Sequence, residues 1–121
     1  MKRLKLIVSF VFISFLFTNC TNDSAADLGE AIGTGDATYT LDVKSIIDNN
    51  CIICHAATPV NGAPMSLTTY EQVKDAILHR PLLDRISRAQ GEPGMMPNGG
   101  TRLPQASINI IIKWQQDGLL E

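Results

Sequence analysis

Apolar residues recur three and four positions apart in several parts of this chain, and that period predicts amphipathic helices. No stretch alternates convincingly between apolar and polar residues, so we expect almost no sheet. The pattern predicts an all-α domain of three to five short helices within residues 39–121. Its apolar positions are Val43, Ile46 and Ile47, then Tyr70, Val73 and Ile77, then Leu82, Leu83 and Ile86, and finally Ile108, Ile111, Ile112 and Trp114.

Start and stop signals mark the ends of these helices. Thr40 is a candidate N-cap for the first helix. Thr69 and Gln72 fit a capping box, in which each side chain bonds the other residue's backbone amide, at the start of the second. Pro81 ends that run and is expected to start a short third helix as its first (N1) residue. Gly118 stands where a left-handed glycine commonly follows a last helical turn, so the closing helix is expected over residues 105–117.

The amino-terminal residues predict export. A short basic run precedes the apolar stretch Leu6–Phe17, and that arrangement is typical of a secretory signal peptide, here residues 1–19. The alternative is a retained membrane anchor, but a spanning helix needs about 20 apolar residues and this stretch is shorter.

Cys20 refines the prediction, because a cysteine directly after such a stretch resembles the lipobox of bacterial lipoproteins. Thr18 and Asn19 depart from the small residues usual there, and the alternative is a soluble periplasmic protein with an unrelated Cys20. We expect a lipidated Cys20, a flexible tether over residues 20–38, and a domain anchored on the periplasmic side of a bacterial membrane.

Charge narrows the range of partners. Removal of residues 1–19 takes away three basic residues and no acidic ones, which leaves 7 Lys and Arg against 12 Asp and Glu, a formal charge of −5. An acidic surface argues against nucleic-acid binding and favours a protein partner with a positive docking patch.

The chemistry lies in Cys51-Ile52-Ile53-Cys54-His55, a C-x-x-C-H pattern typical of covalent c-type haem attachment. Two thiols at this spacing match the two vinyl groups of one haem, and the adjacent His55 supplies an imidazole to the iron. Three alternatives stay open. The cysteines could form a thioredoxin-like dithiol, half of a zinc site, or a structural disulfide in an exported protein.

A second axial ligand is expected from the glycine- and proline-rich segment that contains Met96, 41 residues after His55. The following proline favours an extended backbone at Met96, and nearby glycines allow a close approach to a flat ring. A thioether paired with histidine favours reduced iron. Met95, Met65 and His79 are rival ligands, although His79 is expected at an exposed helix end.

Three segments, CIICH, MMPNGG and INIIIKWQQDG, together resemble the class I cytochrome c domain family over residues 38–121. The resemblance implies an all-α fold around one covalent haem c, with Cys51 and Cys54 as thioethers, His55 as the proximal ligand and Met96 as the distal one. It also implies that Trp114 packs in the closing helix on the haem side of the core. Asn98 departs from the family, since a second proline is common there. An arginine is expected at a haem propionate, and the candidates are Arg80, Arg85 and Arg102.

This reading predicts single-electron transfer between redox partner proteins, with no small-molecule substrate, because both axial positions are filled. The alternatives are a haem enzyme or a gas-ligand sensor, each with an open axial position. A further alternative is a haem subunit of a larger oxidoreductase.

Overall fold

The structure is a computed structural model that describes residues 35–121. The predicted signal peptide, Cys20 and most of the predicted tether lie outside these residues. A π-helical segment, Tyr39–Val43, runs directly into α1, Lys44–Asn50. Three more helices follow, namely α2, Tyr70–His79, α3, Leu82–Ser87, and α4, Gln105–Gln116.

The predicted all-α class is confirmed for the part of the chain that the structure describes. Within residues 35–121 there is no strand, and the one β-bridge is an isolated parallel pair between Thr38 and Leu120. In the same residues, none of the helices combines the length and the apolar character that crossing a bilayer requires.

The N-cap of the first helical segment lies two residues before Thr40, so the predicted cap is wrong. Thr38 is the N-cap: its backbone is extended, its hydroxyl accepts from the Leu41 amide at 3.3 Å, and its own amide donates to Asp42 at 2.8 Å. The Thr38 carbonyl accepts from the amides of both Asp42 and Val43, which gives the segment its wider, π-helical turn. Apolar spacing alone does not distinguish two threonines two positions apart.

The other helix ends follow local sequence signals. The Thr69–Gln72 capping box is present at the start of α2. Pro81 is the N-cap of α3, one position before the expected N1, and the first helical residue is Leu82. Gly118 adopts a φ of +94° just after the C-cap of α4, a conformation that costs glycine little. These ends are predictable because the groups that satisfy them lie within a few residues of one another.

The core is formed by one face of each helix together with a few loop residues. Trp114 is fully buried, and so are Val43, Val73, Ile108 and Ile111. Three aromatic side chains, the aromatic cluster of Tyr39, Tyr70 and Trp114, pack with ring centroids 5.6, 5.7 and 6.1 Å apart. The cluster joins the first helical segment to the start of α2 and the end of α4.

Hydrogen bonds fasten the last residues of the chain to this cluster. The Trp114 indole donates to the Leu120 carbonyl at 2.6 Å, and the Tyr70 hydroxyl donates to the Leu119 carbonyl at 2.7 Å. The Tyr39 amide also donates to the Leu120 carbonyl, at 2.8 Å. These contacts fix the first helical segment against α4, and α1 then carries the chain to Cys51.

Candidate functional site

The C-x-x-C-H segment forms a compact turn directly after α1, which we call the thiol turn (residues 51–55). Cys51 is the C-cap of α1, and its amide donates to the Ile47 carbonyl. The Cys51 carbonyl in turn accepts from the amides of Cys54, at 3.2 Å, and His55, at 2.9 Å. The three candidate residues are thus held together by hydrogen bonds to the Cys51 carbonyl, so local backbone bonding brings them into one turn.

His55 is buried, with 8 % of its surface exposed, and its ring orientation is fixed. Its Nδ1 lies 2.8 Å from the Met65 carbonyl oxygen. A carbonyl only accepts, so Nδ1 carries a proton, and in the neutral ring Nε2 then keeps its lone pair. Within residues 35–121 the His55 side chain makes no other hydrogen bond. This arrangement is the one in which a neutral histidine presents a single oriented nitrogen to a metal.

The two thiols differ in their surroundings, although both are free and half-buried. Burial raises the pKa of the Cys51 thiol to about 11, because the charged thiolate is poorly solvated there. The Cys54 sulfur lies 3.5 Å from the Asn61 side-chain nitrogen, which donates to it. Between them, the exposed Ile53 side chain points away from the protein, whereas Ile52 packs on the core.

The methionines expected near the site occupy different environments. Met96 is half-buried and packs against the core cluster, as do Cys51 and Met65. Met95 is buried, with its amide bonded to the Glu92 carbonyl at 3.0 Å. Met96 and Met65 are therefore less buried than Met95. The carbonyl of Met65 already orients His55, so this residue has a structural role whatever its sulfur does.

The remaining candidates have other partners. His79 lies at the exposed end of α2, as expected, and its Nδ1 pairs with Asp75 at 2.9 Å. Arg80 is exposed and lies 3.9 Å from the same carboxylate. The Arg102 guanidinium donates to the carbonyls of Arg88 and Ser87 and to Gln105. Arg85 is half-buried and donates to the Gly94 carbonyl.

The donor set of the thiol turn meets the needs of a covalent haem. It offers two thiols one turn apart, one oriented imidazole Nε2, and half-buried apolar side chains beside them. Within residues 35–121, no group of three or more His, Cys, Asp and Glu side chains is placed to hold a metal ion. A haem needs no such group, because its porphyrin supplies four of the iron's ligands and the protein only the axial ones.

Sequence reasoning missed two contributors to the site. The first is the Met65 carbonyl, which as a backbone group leaves no sequence signature. The second is Asn61, whose φ of +54° is a left-handed conformation that asparagine tolerates better than most residues. An asparagine beside a glycine within a loop is a detectable turn signal, and it marks the place where the chain turns back toward Cys54.

Comparisons with known proteins add nothing to the assignment of this site, which therefore rests on the residues described above. No protein-family model, curated protein or solved structure matches this chain.

Proposed function

We propose that residues 39–121 form a domain that carries one covalently attached haem c and transfers single electrons in the bacterial cell envelope. The observation that carries the proposal is the state of His55. The ring is buried, its Nδ1 donates to the Met65 carbonyl at 2.8 Å, and Nε2 is left as the free ligand nitrogen. A dithiol enzyme or a structural disulfide requires no oriented histidine beside the second cysteine.

In this proposal the chain's own residues bind and orient the group. Cys51 and Cys54 would hold the group through thioether bonds, and the His55 imidazole would be one ligand of its iron. Haem, when bound, supplies the reversible change between ferrous and ferric iron. The hydrogen bond to the Met65 carbonyl keeps the His55 ring in one orientation. Met96 supplies a soft distal ligand that favours the reduced state.

Filled axial positions argue for a carrier. If His55 and Met96 both bound the iron, they would leave no position for a substrate or a gas, and the function would be transfer of an electron to a docked partner protein. The acidic balance of the exported chain favours a partner with a positive patch.

The decisive experiment is expression in a bacterial periplasm with the c-type maturation machinery, with Met96→Ala made beside the wild type. We expect haem that resists acid–acetone extraction in both proteins. We expect a methionine-to-ferric-iron charge-transfer band in the wild type and its loss in Met96→Ala. Met95→Ala and Met65→Ala are the matched controls and should keep the band.

Other outcomes identify the alternatives. A wild-type protein that is high-spin or binds CO readily has an open axial position, and a haem enzyme or gas sensor would then replace the carrier. Extractable haem, or none, would reject the proposal and favour the dithiol or disulfide.

Anchoring is a separate part of the proposal and has its own test. Cys20 lies outside the described residues, so its lipidation rests on the sequence alone. Labelled palmitate should be incorporated into the wild type and not into Cys20→Ser, and both proteins should still attach haem. Equal labelling of the two would reject the lipid anchor without affecting the haem site.

A further inference from the structure

The methionine loop, residues 89–104 between α3 and α4, contains no regular secondary structure, and side chains from α3 and its C-cap hold it in place. Arg85 Nη1 donates to the Gly94 carbonyl at 3.1 Å. Arg88 Nη1 donates to the Pro93 carbonyl. Pro93 and Gly94 directly precede Met95 and Met96. Two neighbouring arginines therefore hydrogen-bond the backbone just before the proposed distal ligand.

Each arginine has a second contact that fixes its position. The Arg85 carbonyl accepts from the Met96 amide at 3.0 Å, so this one residue contacts the loop through both its backbone and its side chain. Arg88 is oriented by Asp84, whose carboxylate accepts from Nε at 3.2 Å and from Nη2 at 2.7 Å. The ion pair partly neutralises Arg88 and leaves Nη1 directed at the loop.

Gly94 leaves the space that these contacts require. Its φ is +78°, and a Cβ at this position would overlap Arg85 Nη1 and lie 2.6 Å from Arg88 Nη1. Any side chain there would push both guanidinium groups away from the carbonyls they contact. Gly99, in the same loop, has a similar φ of +72° but no atom within 4 Å of the corresponding point. The two glycines therefore share a backbone conformation and differ in what surrounds them.

We propose that Arg85 and Arg88 are positioning residues that hold the methionine loop closed and thereby keep the Met96 thioether on the haem iron, an inference that rests on the proposed function. Neither arginine has to touch the haem. Both act through the carbonyls of Pro93 and Gly94, and Arg85 also through the Met96 amide. Their removal favours the open loop, in which Met96 leaves the iron and an added ligand replaces it more easily.

The first test measures binding of imidazole to the ferric protein, because imidazole must displace Met96. Loss of one such hydrogen bond is expected to raise the apparent imidazole affinity by about fivefold in Arg85→Ala and in Arg88→Ala. Arg85→Lys should restore wild-type affinity, because Arg85 makes a single side-chain contact that an ammonium can replace. Arg88→Lys should not, because an ammonium cannot reproduce a two-point contact with Asp84 together with a third to the loop.

Gly94→Ala and Gly99→Ala form the matched pair. Gly94→Ala should raise imidazole affinity at least as much as either arginine variant and weaken the charge-transfer band. Gly99→Ala carries the same backbone strain without displacing an arginine, so its affinity should stay within about twofold of the wild type. Equal effects of the two substitutions would attribute the change to strain and overturn the proposal.

Hydrogen exchange of the Met96 amide, measured on each protein as purified, separates this inference from the proposed function. Faster exchange in Arg85→Ala and Gly94→Ala than in Gly99→Ala shows that the arginines hold the loop, even if the wild type lacks the charge-transfer band and Met96 ligation is thereby rejected. Unchanged exchange and unchanged imidazole affinity in the arginine variants, with the band present in the wild type, would overturn the inference and leave the proposed function standing.

Discussion

The aromatic cluster and the thiol turn are held by different forces. In the cluster, the fully buried Trp114 packs against Tyr39 and Tyr70, and the two neighbouring carbonyls at the end of the chain satisfy two of the polar atoms. In the thiol turn, main-chain hydrogen bonds set the shape, while Cys51 and Ile52 are only half-buried and Ile53 is 80 % exposed. The cluster is packed inside the protein, whereas the turn has a backbone fixed by hydrogen bonds but side chains that are only partly buried.

This difference predicts that substitutions in the aromatic cluster mainly affect stability and that substitutions in the thiol turn mainly affect function. Burial of apolar surface contributes about 25 cal/mol per Å², so the cluster supplies stabilisation that does not depend on any added group. The half-buried side chains of the thiol turn leave apolar surface that a haem would cover. Substitutions in the cluster should therefore lower the free energy of unfolding. Substitutions in the turn should first alter the reactivity of its side chains.

The largest expected effect is that of Trp114→Ala. Loss of a fully buried indole should lower the free energy of unfolding by about 4 kcal/mol, because it removes apolar contacts and leaves a cavity. That is a large share of the roughly 5–15 kcal/mol typical of a domain. Denaturant unfolding followed by circular dichroism measures it. The control is Leu41→Ala, in the same helical segment as Tyr39 but 81 % exposed, which should change stability by no more than about 0.5 kcal/mol. Similar values for the two variants would contradict the role assigned to the cluster.

The next effect concerns the reactivity of the free Cys51 thiol. A thiol pKa near 11, raised by burial from 9.0, lowers the thiolate fraction at neutral pH about a hundredfold, and the greater nucleophilicity of the more basic thiolate recovers about tenfold. Cys51 in the folded chain should therefore alkylate about tenfold more slowly than in denaturant, and its rate should keep rising up to about pH 11. Peptide mass spectrometry measures Cys51 separately from the other cysteines. Equal rates in the folded and unfolded chain would show that the turn does not bury this thiol.

A smaller effect distinguishes the two tyrosines of the cluster. Tyr70→Phe should cost about 1 kcal/mol, because it removes a hydroxyl that donates to the Leu119 carbonyl at 2.7 Å. Tyr39→Phe should cost nothing or stabilise the domain. The Tyr39 hydroxyl is buried without a hydrogen-bond partner among residues 35–121, so its removal relieves an unsatisfied polar group. Thermal unfolding of both variants tests the difference, and a greater loss in Tyr39→Phe would mean that its hydroxyl has a partner.

The smallest effect is a pH dependence at Asp117. The Lys113 ammonium and the Ala37 amide, each 2.6 Å from one carboxylate oxygen, lower the pKa of Asp117 from its ordinary 3.8. The unfolded chain then binds this proton more readily than the folded one. The contribution to stability is therefore present above about pH 3.8 and is lost as the pH falls through the lower folded pKa. Asp117→Asn should flatten the loss of stability on acidification, as should Lys113→Gln, and an unchanged profile in both would contradict the assignment.

Most of the helical organisation is predictable from the sequence, and the one wrong cap shows the limit. Thr69 with Gln72 and Gly118 with the end of α4 are local pairs, so their signals lie within one turn of the helix they define. Thr38 and Thr40 compete for the same role. The choice depends on Asp42 and on the pairing of Thr38 with Leu120, at the far end of the chain.

The candidate site likewise has a part that the sequence predicts and a part that only the structure shows. Cys51, Cys54 and His55 lie within five consecutive residues, so the sequence alone shows that they are grouped. The methionine loop is recognisable as a loop by its glycines and prolines. The sequence marks Arg85 only as a candidate for a haem propionate and does not single out Arg88. That Arg85 instead holds the Gly94 carbonyl depends on the angle at which α3 meets the loop.

The sequence by itself determined the all-α class, most helix ends and the thiol turn, because the interactions responsible join residues a few positions apart. Only the tertiary structure decided that Tyr39, Tyr70 and Trp114 share one cluster, that the Met65 carbonyl selects the His55 nitrogen left free, and that two arginines hold the methionine loop. Each of those contacts requires the chain to turn back on itself. The packing of whole helices then determines which positions meet. The spacing of residues along the chain does not show these contacts.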